Sequence, residues 1–148
     1  MGLFDAIGIA GTGLSAQRVR MDVTAENLAN ADTTKGANGL PYQRQEVVLA
    51  QAGSTSFEGA LSGALAQSGL PAAGGVQVSG IVADATPDRQ VYDPTNPEAN
   101  AHGYVLMPNV STVTEMTDLI SEQQSYQSDV TAMQTAKSMF TATLGLLK

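Results

Sequence analysis

The sequence TVTEMTDLISEQQSYQSDVTAMQTAKSMFTATLGLL, residues 112–147, carries a large apolar side chain at every seventh position. These side chains are Leu119, Tyr126, Met133, Phe140 and Leu147. A second row, three or four residues away, consists of Met116, Gln123, Val130, Lys137 and Leu144. This spacing is typical of a coiled-coil seam. Because the stretch contains no proline, it predicts one long helix that buries its seam against another helix.

The start of this helix also has a sequence signal. Thr112 and Glu115 fit the capping box, in which Thr112 accepts a hydrogen bond from a first-turn amide and Glu115 reaches back to the Thr112 amide. A helix over residues 112–147 would be about 54 Å long. That length is too great for a compact domain of 148 residues, so we expect the helix to project beyond the rest of the chain.

A second apolar stripe lies at the other end of the sequence and predicts a helix over residues 3–29. Its large members stand seven residues apart and are Ile7, Leu14, Met21 and Leu28. Gly8, Gly11 and Gly13 each disfavour this helix by about 1 kcal/mol relative to alanine. We therefore expect the helix to form only when its stripe is buried, and the glycines to admit a neighbouring backbone.

The middle of the chain has a different character. Strand-forming residues predict short strands at residues 42–50, 76–82, 89–92 and 104–107. The second and third of these are joined by ADATPD, which predicts a turn and a hairpin between them. Residues 51–75 are rich in glycine, alanine and serine and predict a linker, with room for a short helix at residues 61–66.

Composition excludes several classes of function. Fourteen acidic and seven basic residues give a net charge of −7, and the absence of a basic run argues against nucleic acid or an anionic membrane as partner. The chain has no cysteine, which excludes disulfides, thiolate metal sites and thiol nucleophiles. No apolar run approaches the roughly 18 residues of a membrane span. The first residues, MGLFDAIGIA, lack the basic region of a secretory signal, so we expect no membrane insertion and no cleaved signal.

Motifs that suggest chemistry have simpler interpretations here. Residues 11–16, GTGLSA, match the dinucleotide pattern G-x-G-x-x-A, but the helical stripe precedes them where that pattern requires a strand. His102 is the only histidine and lies in a predicted turn. The acidic residues beside proline or asparagine are best interpreted as turn residues, and they are Asp84, Asp88, Asp93 and Glu98. We therefore predict no catalytic, cofactor-binding or metal site and no enzymatic activity.

Five stretches of the sequence resemble the bacterial flagellar basal-body rod proteins. They are GLSAQRVRMDVTAENLANADTT (13–34), PYQRQEVVL (41–49), GVQVSGIVAD (75–84), VYDPTNPEANAHGYVLMPNV (91–110) and AKSMF (136–140). The run ANADTT is shared in outline by rod and hook proteins generally, whereas VYDP and GYVLMPNV point to a protein of the proximal rod. The resemblance extends from about residue 7 to residue 144.

The resemblance implies a structural subunit of the axial drive shaft that transmits torque for motility. Its partners would be other copies of the chain, other flagellar rod proteins and the flagellar type III export apparatus. Its location would be the basal body, in the rod that crosses the periplasm. Two alternatives remain: another axial subunit of the rod or hook type, and a small ligand-binding or enzymatic module, which predicts a folded monomer with a pocket.

Together these observations predict an α+β fold. Residues 1–34 hold the N-terminal helix and an Asn- and Thr-containing turn, and residues 111–148 hold the C-terminal helix. The two helices pair as an antiparallel coiled coil, and residues 35–110 form a small β-rich region with the linker at 51–75. The terminal helices pack against neighbouring subunits in the rod. The residues expected at the subunit interface are Ile7, Leu14, Met21, Asn27, Leu28, Asn30, Met116, Leu119, Tyr126, Val130, Met133, Phe140 and Leu144.

Overall fold

The computed structural model describes residues 3–36, 38–52 and 74–145. Along the chain the elements are α1 (Leu3–Ala29), β1 (Gln45–Gln51), β2 (Val76–Ala83), β3 (Arg89–Tyr92), β4 (Tyr104–Met107) and α2 (Thr112–Gly145). Two long helices and short strands confirm the predicted α+β class. Most of the predicted linker, the short helix at residues 61–66 and the last seam residue, Leu147, lie outside the described residues.

Helix α1 has 27 residues, as the stripe predicted, in spite of its glycines. A Cβ atom built on Gly13 would lie 3.1 Å from Oδ2 of Asp129, and one built on Gly11 would lie 3.8 Å from Cε of Met133. At Gly8 an added Cβ would meet none of the described atoms within 4 Å. The close neighbours at Gly11 and Gly13 are therefore α2 side chains, whereas we had expected a backbone.

The four strands form two separate two-stranded sheets, β1 with β2 and β3 with β4. In the second sheet the strands are antiparallel, with Arg89 opposite Met107 and Tyr92 opposite Tyr104. The connection between them is closed by the Asp93 amide, which donates to the Gly103 carbonyl at 2.9 Å. The predicted hairpin of residues 76–82 with residues 89–92 is therefore wrong.

Long-range hydrogen bonds explain this difference. After β2, the Asp84 amide donates to the Arg44 carbonyl at 2.8 Å, which extends the pairing with the β1 side of the chain. The Asn109 side chain, which lies beyond β4, donates to the Thr86 carbonyl at 3.0 Å. The residues between β2 and β3 thus bind partners far away in sequence, and they do not form the tight turn that a hairpin requires.

The contacts divide the chain into two compact units, each built from separate stretches. The first unit consists of Met1–Arg18, Val48–Gly80 and Gln124–Lys148, and the second of Val19–Val47 and Ile81–Gln123. In the second unit the buried apolar side chains are small: Val23, Ala31, Val47, Val105 and Val110. The largest fully buried side chains among the described residues are Glu115, Asn27 and Pro108, so two of these three are polar.

Helix α2 begins at Thr112, as predicted, but its cap differs from the prediction. Ser111 precedes the helix, and its Oγ accepts a hydrogen bond from the Thr114 amide at 3.5 Å. The carboxylate of Glu115 binds Arg44 and does not reach back to the Thr112 amide. The predicted capping box is therefore wrong, because a charge-assisted bond to a guanidinium is stronger than a bond to a neutral amide.

One glycine of the first unit generates a testable prediction. Gly75 has φ of 96°, and a Cβ atom at this position would collide with Oγ1 of Thr12. That hydroxyl accepts a hydrogen bond from the Val76 amide at 3.1 Å and joins α1 to the start of β2. We expect Gly75→Ala to lower the free energy of unfolding by more than about 1 kcal/mol, measured by thermal denaturation.

The matched control is Gly80→Ala, in the interior of β2. A Cβ atom at Gly80 would have no described atom within 4 Å, and the backbone there is not left-handed. This control should unfold close to the wild-type temperature. Equal losses of stability in the two variants would contradict the proposed role of the Thr12 contact.

Candidate functional site

The side chain of Asn27, near the end of α1 in the second unit, has a partner for every hydrogen bond that its amide can make. Its Oδ1 accepts hydrogen bonds from the Gln45 amide and from the Tyr42 hydroxyl, both at 2.9 Å. Its Nδ2 donates to the Gln45 carbonyl at 2.8 Å and to Oε2 of Glu115 at 3.1 Å. With 1% of its surface exposed, this amide joins α1, the start of β1 and α2.

Glu115 is a buried carboxylate, with 1% of its surface exposed, and Arg44 is its charged partner. The Nε of Arg44 donates to Oε1 of Glu115 at 2.6 Å. The hydrogen bond to Glu115 raises the pKa of Arg44, while burial acts in the opposite direction. Asp118 and Asp84 stand farther from the guanidinium, at 3.7 Å and 3.9 Å. Of the three carboxylates, Glu115 therefore lies nearest to the positive charge of Arg44, which offsets the cost of burying it.

The backbone of Arg44 is held as firmly as its side chain. Its amide donates to Oδ1 of Asn109 at 2.8 Å, and its carbonyl accepts from the Asp84 amide at 2.8 Å. The Thr86 hydroxyl and amide both bind the Asp84 carboxylate, which lowers the pKa of that carboxyl. We call this set the polar cluster; its members are Asn27, Tyr42, Arg44, Asp84, Asn109 and Glu115.

A recess of about 190 Å³ opens beside the polar cluster within the second unit. Its charged lining residues are Arg20, Arg44, Glu46, Asp118 and Glu122. Oε1 of Glu122 accepts from the Thr24 hydroxyl at 3.2 Å, whereas the buried Oε2 has no partner among the residues that the structure describes. Burial raises the pKa of Glu122.

The other candidate sites are turns and helix positions, as predicted. Residues 11–16 lie inside α1. His102 is exposed, and its amide donates to Oδ1 of Asn100 at 2.9 Å. Asp93 accepts from the Thr95 hydroxyl and amide, and these bonds lower its pKa. Over the described residues no group of three or more His, Cys, Asp or Glu side chains could hold a metal ion, and no helix is long and apolar enough to cross a membrane.

The predicted interface residues fall into three groups. Most of the large stripe residues are half-buried in the single chain: Ile7, Leu14, Met21, Leu28, Leu119, Tyr126, Val130, Met133 and Phe140. Met116 and Leu144 are more open, with 53% and 50% of their surfaces exposed. Asn30 stays near the end of α1, where it donates to the Glu26 carbonyl at 3.0 Å. The subunit contacts of this set stay a prediction, and Asn27 also has the intrachain role described above.

Sequence reasoning missed most of the polar cluster. Of its members, only Asn27 was predicted at a functional contact, with a neighbouring subunit, whereas Glu115 was predicted in a capping box and Asp84 as a turn residue. Glu115 carries a signal that could have been used, because it precedes the apolar Met116 in the predicted helix, whereas Arg44 lies between Gln43 and Gln45 and carries no such signal. Their pairing, however, joins positions 71 residues apart, and no local pattern predicts such a pair.

The ion pair of Arg44 with Glu115 makes a prediction about stability. Arg44→Leu leaves the Glu115 carboxylate buried without its charged partner, which should lower the free energy of unfolding by about 3–5 kcal/mol in urea denaturation. Arg44→Leu combined with Glu115→Leu should recover much of this loss. The control Arg18→Leu removes an exposed arginine and should change stability by less than about 0.5 kcal/mol. If Arg44→Leu were as stable as this control, Arg44 would not be the partner that stabilises the buried Glu115 carboxylate.

The raised pKa of Glu122 makes a prediction about pH. A carboxyl whose pKa is higher in the folded than in the unfolded chain favours folding at acidic pH, and this contribution is lost as the pH rises through the folded pKa. Glu122→Gln should therefore stabilise the protein at about pH 7, with a smaller gain at about pH 4. Urea denaturation at both pH values, with the exposed Asp22→Asn as control, measures the difference. If Glu122→Gln gained more stability at the acidic than at the neutral pH, the pKa of Glu122 would not be raised by folding.

Comparison with known proteins identifies the family of this chain. A family profile described as "Flagella basal body rod protein" matches residues 7–37, and one described as "Flagellar basal body rod FlgEFG protein C-terminal" matches residues 101–146. The first match contains Asn27, and the second contains Asn109 and Glu115. The two matches therefore hold both helical contributions to the polar cluster.

Curated relatives match this chain over almost its whole length. The flagellar basal-body rod protein FlgC of Bacillus subtilis is 45% identical over 100% of both chains. FlgC of Escherichia coli O157:H7 is 42% identical over 99% of this chain and 98% of its own, and FlgC of Borreliella burgdorferi is 37% identical over 100% and 99%. The expected rod family, basal-body location and structural, non-enzymatic role are thereby confirmed. The chain belongs to the family of the flagellar basal-body rod protein FlgC.

Proposed function

We propose that this rod protein is a subunit of the proximal rod, where its terminal helices pair in antiparallel fashion and pack against those of neighbouring subunits. The observation that carries the proposal is the pair of seven-residue apolar stripes, whose members among the described residues stay half-buried or exposed in the single chain. Large apolar side chains left in this state are typical of surfaces that become buried on assembly. The axial partners would be other copies of the chain and other rod proteins.

Contacts inside each unit support the antiparallel order of the helices. In the second unit, Thr24 binds Glu122, while the later residue Asn27 binds the earlier residue Glu115. In the first unit, the neighbour of Gly11 is Met133, and the neighbour of Gly13 lies four residues earlier, at Asp129. In both units, moving forward along α1 means moving backward along α2, as an antiparallel pair requires.

The mechanical role follows from this arrangement. A rod transmits torque when each subunit resists rotation against its neighbours, and many buried side-chain contacts supply that resistance without any chemical step. Dispersion contacts are individually small and collectively large, so a seam of Leu, Met, Tyr and Phe side chains suits this role.

We also infer that the chain reaches the rod through the flagellar type III export apparatus. The second unit supports this inference, because the buried apolar side chains among its described residues are four valines and Ala31, apart from proline. Small buried side chains contribute less to stability than large ones, and such a unit opens at low cost. The larger stripe residues would then be buried only after export, when the subunit joins the rod.

A charge placed in the seam tests the proposal. In the bacterium that encodes this chain, Met133→Asp combined with Phe140→Asp should abolish swimming and rod assembly, because burying two unpaired carboxylates at a subunit contact costs several kcal/mol. Swimming in soft agar and electron microscopy of purified basal bodies measure the two effects.

The matched control adds the same charge off the seam. Gln134 and Ala142 are exposed and lie on other faces of α2, so Gln134→Asp combined with Ala142→Asp should swim. Normal motility of the seam variant would contradict packing through the stripe. Absence of the wild-type chain from purified basal bodies would contradict the rod role itself.

A further inference from the structure

The first part of α2 has its charged and apolar faces inverted. Glu115 is buried against Arg44, Asp118 lies 3.7 Å from the same guanidinium, and Glu122 binds Thr24. On the opposite side Val113, Met116 and Ile120 are 75%, 53% and 66% exposed. A surface helix of a soluble monomer normally shows the reverse pattern. We call these three apolar residues the outer stripe.

The β3–β4 hairpin carries a second exposed apolar surface. On β4 the exposed Tyr104 and Leu106 flank the buried Val105, and Tyr92 lies opposite Tyr104 on β3. Tyr92, Tyr104 and Leu106 are 64%, 42% and 43% exposed. The rings of Tyr92 and Tyr104 meet edge to face, with centroids 5.3 Å apart, so this surface is ordered across the two strands.

A groove of about 280 Å³ adjoins this surface, and we call it the hairpin groove. Its lining residues include Leu40, Pro41, Tyr104 and Leu106, and Leu40 is itself 65% exposed. The charged side chains that line it are Lys35 and Glu98, and Glu98 accepts a hydrogen bond from the Thr34 hydroxyl. The groove thus offers an apolar floor flanked by one basic and one acidic side chain.

The outer stripe and the hairpin groove are separate surfaces of the second unit. The recess that adjoins Val113 has a volume of about 630 Å³ and shares no lining residue with the hairpin groove. Val113, Met116 and Ile120 stand at positions i, i+3 and i+7, the spacing by which an amphipathic helix enters an apolar groove. The chain therefore carries both halves of such a contact.

We propose that the outer stripe of one copy docks into the hairpin groove of a second copy. The inference rests on the proposed rod function and names one of its contacts. A chain of net charge −7 repels its own copies, and residues 112–121 turn all of their acidic side chains away from the outer stripe. Contact between two different surfaces of the same chain builds an open assembly, as a rod needs, whereas stripe against stripe would close a dimer.

Cross-linking in purified basal bodies tests this contact, because the chain has no native cysteine. The variant Leu106→Cys combined with Ile120→Cys, treated with a bismaleimide, should give a ladder of dimers and larger multimers of the chain. Each single variant should give none. The control Ala85→Cys combined with Ile120→Cys uses another exposed residue of the second unit and should give at least tenfold less ladder. Swimming of the double variant shows that its rods are assembled.

Three results would overturn the proposal while the rod function stands. They are dimers from Ile120→Cys alone, cross-links only to a different rod protein, and no cross-link in basal bodies that contain the double variant. Absence of the wild-type chain from basal bodies is a different result, because it would contradict the rod function.

Discussion

The buried carboxylate of Glu115 is the constraint on which the second unit depends. A carboxylate with 1% of its surface exposed needs a charged partner and further hydrogen bonds, since an unpaired charge in that position would strongly destabilise the unit. Arg44 supplies the charge, and Asn27 supplies a second donor. These two partners come from different elements, so the pairing determines how the end of α1, the start of β1 and the start of α2 meet.

The same constraint decides which residues of α2 face solvent. A helix that turns Glu115, Asp118 and Glu122 toward Arg44 and Thr24 must turn the opposite face outward. In this sequence the opposite face carries Val113, Met116 and Ile120. The interaction that stabilises the single unit therefore also leaves this apolar face exposed among the described residues, and in the proposed assembly it links folding to docking through one helix.

The sequence predicted the parts of the fold that depend on local patterns. Seven-residue apolar spacing gave α1 and α2, and runs of β-branched and aromatic residues gave four strands close to their observed bounds. The predicted pairing of the second strand with the third was wrong. The observed pairing depends on hydrogen bonds between residues far apart in sequence, such as that of the Asn109 side chain to the Thr86 carbonyl, and no local sequence pattern indicates them. Glu115 fits the sequence pattern of a capping box, and only the position of Arg44 in three dimensions explains why it does not act as one.

Buried ion pairs rarely add much stability over apolar side chains of the same size, so the value of this pair lies in specificity. An apolar contact at Glu115 would allow α2 to rotate about its axis and present another face at small cost. The pairing with Arg44 and Asn27 permits one orientation, because rotation would leave buried groups without partners. In the proposed role, a subunit that transmits torque through its helices needs that property more than it needs a large core, since its neighbours in the rod would supply the remaining apolar contacts.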